Sequence, residues 1–217
     1  MNEQLRPVHV SIAAASAALI VLALTGCVQS ETDAAIDSAT EPSLAPSSEP
    51  SEPTAEPTPV VEPLVIPECS TMVPLEVAKS SFSESTVLLA EEDFVDVNEW
   101  SMPEEAAAIS NASVAKDCWW GVPRGDGFFG LAVIDIDSTH RATLASALLD
   151  EGAVETALGS VTVLNVLTLS GLNDIYDTHY FVDDVWIHGT ANNDRLSTKL
   201  ADAALEQIRV ANPTRAY

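Results

Sequence analysis

The sequence predicts an α+β fold: an antiparallel β-sheet flanked by helices, in a single globular domain that follows a disordered tether. Three observations lead there. Beyond residue 68, helix-spaced apolar positions give way to β-branched runs and then return. The later strand-rich stretches follow one another through short, hairpin-type links, which favours antiparallel pairing over a βαβ array. Residues 28–68, by contrast, carry nine acids and eight prolines but no Lys, Arg or aromatic residue. Such a segment buries too little apolar surface to offset the ordering of its backbone.

The elements follow in order. Pro74 suits the first turn of a helix that places Leu75, Ala78 and Phe82 on one face. Ser85 to Ala90 reads as a short strand. Pro103 starts a second helix, with Glu104 and Glu105 at the positive end of its dipole and Asn111 near its end. Cys118, Trp119 and Trp120 lead into a glycine-rich loop from Gly121 to Gly127. Phe128 to Ile136 is apolar at successive positions, as a strand covered on both faces requires. Ser138 or Thr139 caps a helix bearing Leu144, Leu148 and Leu149, and Gly152 ends it. Val161 to Leu169 is a second β-branched strand. Thr178 to Val182 and Val185 to Thr190 form either a hairpin turning at Asp183-Asp184 or one long strand. In the hairpin, Val182 pairs with Val185, Phe181 with Trp186, Tyr180 with Ile187 and His179 with His188. Asn193 caps a last helix with Leu196, Leu200, Ala204 and Ile208 along one face, before Pro213.

The formal charge of −24 excludes nucleic acid as a partner, because phosphate binding needs a basic patch. Near the start, Arg6 precedes a mostly apolar run from Val8 to Leu24. A charged start, an apolar stretch and small residues at the end fit a secretory leader. Leu24-Thr25-Gly26-Cys27 resembles the bacterial lipobox. That resemblance implies cleavage before Cys27 and acylation of its sulfur and new amino group. Two or three acyl chains, at about 0.8 kcal/mol per buried CH₂, hold a protein durably on a membrane. The expected organisation is a leader at 1–26, a lipidated Cys27 with a proline- and acid-rich linker to residue 68, and a domain at 69–217. The expected location is the extracytoplasmic face of the cell membrane.

With Cys27 acylated, Cys69 and Cys118 are the remaining thiols in an oxidising compartment, and one pairing is open to them. A cysteine at the domain start, the later Cys118-Trp119-Trp120 element, a hairpin and a closing helix are similar to actinobacterial lipoproteins of unknown function that have been likened to a PsbP-like α+β fold. The resemblance implies no catalytic residues.

The residues name no catalytic set either. There is no G-x-S-x-G elbow, and with three domain histidines and many serines some Ser/His/Asp triple can always be found. His179 and His188 face one another in the hairpin, but two imidazoles without a third ligand do not make a zinc site. Asp135 and Asp137 share a strand face where the strand leaves the core. The Gly121–Gly127 loop lacks a phosphate-binding Lys-Ser/Thr pair and precedes a strand, so no nucleotide or other cofactor is implied. Trp119 and Trp120 point to opposite faces of any strand they share. A covered sheet absorbs both rings; otherwise one packs on the disulfide and the other is a candidate ligand contact. The resulting expectation is a lipid-anchored, non-catalytic binding or accessory module, with an envelope protein or glycan as partner. The alternatives are an envelope hydrolase using His179 or His188 with a carboxylate, and a carrier of a small apolar ligand.

Overall fold

A computed structural model describes residues 62–169, 174–215 and 217. The leader, Cys27 and most of the proline- and acid-rich linker lie outside the described residues. The fold is α+β: seven antiparallel strands in one sheet, with helices on both faces. The elements are α1 (Cys69–Met72), α2 (Leu75–Ser81), β1 (Val87–Glu92), α3 (Pro103–Asn111), β2 (Ala115–Gly121), β3 (Phe128–Asp135), α4 (Ser138–Asp150), β4 (Val154–Leu158), β5 (Val161–Leu169), β6 (Asp174–Val182), β7 (Val185–Ala191) and α5 (Asp194–Ala211). The spatial order is β1-β2-β3-β7-β6-β5-β4.

Strand periodicity splits the core in two. On one face Cys118, Trp120, Phe129, Leu131, Val133 and Ile187 meet α1, α2 and the apolar stripe of α5: Leu196, Leu200, Ala204 and Ile208. On the other, Ala132, Ile134, Leu164, Phe181 and Trp186 meet Ala108 and Ile109 of α3 and Leu144 and Leu148 of α4. β3 contributes to both cores because it is covered on both sides, as its unbroken apolar run predicts. Cys69 and Cys118 form a disulfide inside the first core, both fully buried.

The β6–β7 hairpin has the register given above, His179 opposite His188 included. Asp183 takes a left-handed φ of 47°, and Arg141 Nη1 donates to its carbonyl oxygen at 2.5 Å. Asp is one of the few residues besides glycine that enters this region readily, so the turn closes without the expected Gly.

Several elements depart from the sequence reading. Cys118, Trp119 and Trp120 lead into the loop as expected, but as the second half of β2, whose last residue Gly121 pairs with Phe128, so that the turn of the β2–β3 hairpin is 122–127. β4 went unread because Val154, Glu155, Thr156, Ala157 and Leu158 are all exposed, so burial imposes no alternation on them. β6 begins at Asp174, before Thr178. Asp137, not Ser138 or Thr139, caps α4, its carboxylate accepting from the Thr139 and His140 amides. The folded unit also reaches back before Cys69: Leu64 is buried, and the Asn212 side chain bonds both backbone groups of Val65.

Candidate functional site

A cleft of about 310 Å³ lies on the sheet face that carries α3 and α4. Its floor is β3, β6 and β7 through Ala132, Asp177, His188 and Thr190, and its walls are Trp100 and Ser101, Glu105 of α3, and Trp119 of β2.

Trp119 and Trp120 divide between the two faces. Trp120 is 1% exposed and packs in the core that holds the disulfide, stacked 5.8 Å from Phe129. Trp119, half-buried, turns the other way and forms a cleft wall. Its partner across the ladder is Gly130. A Cβ there would come within 2.8 Å of the indole ring, so the ring lies directly on the bare backbone. Nε1 of Trp119 donates to Asp117 Oδ2 at 2.9 Å, and its ring meets Phe128 edge-on at 5.5 Å. These contacts fix the plane of the indole. Trp119 is thus half-buried where Trp120 is fully buried.

The second wall is Trp100, on the segment before α3. Its ring lies 4.7 Å from His188 and 5.2 Å from Trp186. The sequence reading missed it, since an isolated aromatic between two elements carries no periodic signal.

The polar groups come from three elements. Glu105 sits in the first turn of α3 and is 7% exposed. Its Oε2 accepts from the Met102 amide at 3.3 Å, and its other oxygen takes no hydrogen bond from the described residues. Burial raises the Glu105 carboxyl above its usual range, and Asp177 and Glu104 add to this against the opposing pull of His188 and the Met102 amide. Asp177 Oδ1 lies 3.0 Å from His188 Nε2. Burial pushes Asp177 up as well, but hydrogen bonds from His188 and Thr190 outweigh it and hold the carboxyl below its ordinary value. The two carboxyls are thus driven in opposite directions within one cleft.

His179 is not a cleft residue. It is 1% exposed, its ring 4.7 Å from that of His188, and its Nδ1 accepts from Trp186 Nε1 at 3.2 Å. Burial, then the neighbouring His188, drives its pKa well below the ordinary 6.5. It is a neutral acceptor that orients Trp186. Among the described residues no hydroxyl or thiol hydrogen-bonds the ring of His179 or His188, as a Ser/His/Asp set would. Nor do any three His, Cys, Asp or Glu side chains among them gather at metal-binding distance. Asp135 and Asp137 do separate structural work: Asp135 accepts from the Ser113 and Val114 amides, and Asp137 caps α4.

Comparison with protein-family profiles and with curated proteins returns no match. Among solved structures, a GTP binding regulator from Thermotoga maritima is 9% identical at a TM-score of 0.33, over 56% of this chain and 76% of that one. A likeness of that size carries no argument about fold or function.

Proposed function

We propose that this chain is an exported lipoprotein, acylated on Cys27 and held at the outer face of the cytoplasmic membrane, whose domain is a non-catalytic binding module. The cleft between Trp100 and Trp119 is its ligand site. The observation that carries this reading is the cleft itself: two fixed indole walls around a few convergent polar groups, the usual make-up of a small-ligand pocket. Three carboxyls in the lining, from Glu105, Asp117 and Asp177, set a wholly apolar cargo at a disadvantage. A glycan ring or a side chain of an envelope protein fits the same walls. The Cys69–Cys118 disulfide supports an extracytoplasmic location.

Two measurements test this. Cys27→Ser is expected to release the protein from washed membranes, and retention of the variant refutes the anchor. A panel of saccharides, amines and apolar compounds is titrated against the tryptophan emission of the full chain. A saturable response that disappears in Trp119→Phe is the expected result; a panel without any response counts against the cleft.

A hydrolase is the second reading, and one observation favours it. Glu105 and Asp177 are pushed apart in acidity, as a general acid and an ionised carboxylate beside it need to be. Turnover of a glycoside or ester that Glu105→Gln abolishes would establish it.

A further inference from the structure

We propose that the ligand of this cleft is a small organic cation, an ammonium group on a short apolar stem. This rests on the reading of the cleft as a binding site and narrows its ligand class. Four features point the same way. Trp100 and Trp119 present indole rings, whose faces attract a cation through the ring quadrupole. Glu105, Asp117 and Asp177 line the same space, and no Lys or Arg does. A cleft of one sign in a low-dielectric wall concentrates ions of the other sign, and the whole chain, at −24, steers in that direction. Finally, Glu105 is 7% exposed and lines the cleft, and of its two carboxyl oxygens only Oε2 takes a hydrogen bond from the described residues, which leaves the other open to a ligand. An ammonium N–H is the donor that satisfies it, and the positive charge is what lets a buried carboxyl ionise.

The groups facing Glu105 are Glu104 on its own helix and Asp177 and His188 from β6 and β7. Burial raises the Glu105 carboxyl above its usual range, and a bound cation, by favouring the ionised form, draws the proton off where Glu105 titrates. Binding therefore strengthens as pH rises through the range where Glu105 still holds its proton, and proton release shows as a heat that depends on the buffer.

The test is calorimetric titration of the full chain, in detergent, with 1,4-diaminobutane. The neutral 1,4-butanediol and glucose, and the anionic succinate, serve as comparison probes. The diamine alone is expected to bind saturably, more weakly as salt is raised. Glu105→Gln keeps an acceptor for the Met102 amide. It is expected to weaken the diamine about tenfold, the worth of a charge-assisted hydrogen bond, and to abolish the proton release. Trp100→Leu and Trp119→Leu are expected to weaken it as well, while Glu155→Gln on the exposed edge strand leaves it unchanged. If butanediol, glucose or succinate binds as tightly as the diamine, the cation assignment falls and the cleft reading stands. If the diamine binds equally to all the variants, it is coating an acidic surface and the assignment falls. If no probe binds, the cation assignment falls, and the wider fluorescence panel decides the cleft reading separately.

Discussion

The burial of His179 makes the fold sensitive to acid in a way that can be calculated. In the unfolded chain the imidazole titrates near the ordinary 6.5, whereas in the fold its pKa lies well below that, from burial first and then from His188. A base with a depressed folded pKa charges in the unfolded state first. The unfolded state then binds the extra proton, and stability falls as pH drops below 6.5. For as long as the folded imidazole stays neutral, the loss approaches about 1.4 kcal/mol per pH unit and reaches about 2 kcal/mol between about pH 7.5 and pH 5. Glu105 opposes this: its raised pKa leaves the folded state protonated where the unfolded chain has ionised, so its share of stability is lost as pH rises through the window above 4.5. The comparison is therefore best made in a Glu105→Gln background. His179→Gln keeps an acceptor for Trp186 Nε1 and removes the titration. Urea unfolding followed by tryptophan emission, with the disulfide intact, should show the double variant losing about 2 kcal/mol less than the single variant over that interval. Parallel curves for the two proteins would refute the reasoning, since they would mean that His179 titrates alike in both states.

Three further outcomes follow from the packing. Replacing Cys69 and Cys118 by serine opens a loop of sequence separation 49, which the chain-entropy estimate values at about 4 kcal/mol, read as a fall in denaturation midpoint. Gly189→Ala places a Cβ within 2.3 Å of the Ser197 carbonyl oxygen of α5, a backbone atom that cannot swing aside, so α5 must lift from β7. The expected loss is at least the about 1–3 kcal/mol of an overpacked core, measured by thermal melting. Gly130→Ala meets instead the side chain of Trp119, so the indole must leave its place on the strand and strain its bond to Asp117; near-ultraviolet dichroism should change and cleft binding should weaken while the melting point moves little.

What the sequence made legible is whatever periodicity governs. The stripe of α5, the doubly covered β3 and the His179–His188 register were readable because each buried face repeats at the spacing of its own element. β4 was not, because it is an exposed edge with no face to bury. The cleft was half readable. Adjacent tryptophans on one strand must part to opposite faces, but whether a helix lies over the outer one depends on where α3 and α4 end. Trp100 and Glu105 come to the cleft from a loop and a helix start ten or more residues before β2, and Glu105 reads in sequence only as a favourable charge for its helix. Pairing distance along the chain contains nothing that would have joined them to Asp177 and His188.

If the proposed anchor on Cys27 holds, any pull from the membrane reaches the domain through its lead-in segment, residues 62–68. That segment is held at three places. Glu62 is bonded through its backbone oxygen to Arg215 and through its carboxylate to Thr214 Oγ1. Val65 gives its N–H to Asn212 Oδ1 and takes a bond from Asn212 Nδ2, both at 2.8 Å, as a neighbouring strand would. Glu68 joins Glu91 and Asp93 around Lys116, which is 5% exposed, and the disulfide follows at once. Asn212, itself 5% exposed, holds Ile208 of α5 with the same amide. Removing that side chain frees one N–H and one C=O of Val65, a residue 55% exposed, so the loss is that of two hydrogen bonds at about 0.5–1.5 kcal/mol each. Asn212→Ala should therefore speed hydrogen exchange at the Val65 amide by about ten- to a hundredfold, while the β6 and β7 amides beneath the cleft keep their protection. Equal acceleration in the sheet would mean that the clasp and the core open as one unit, and that the lead-in is part of the global fold instead of a local latch.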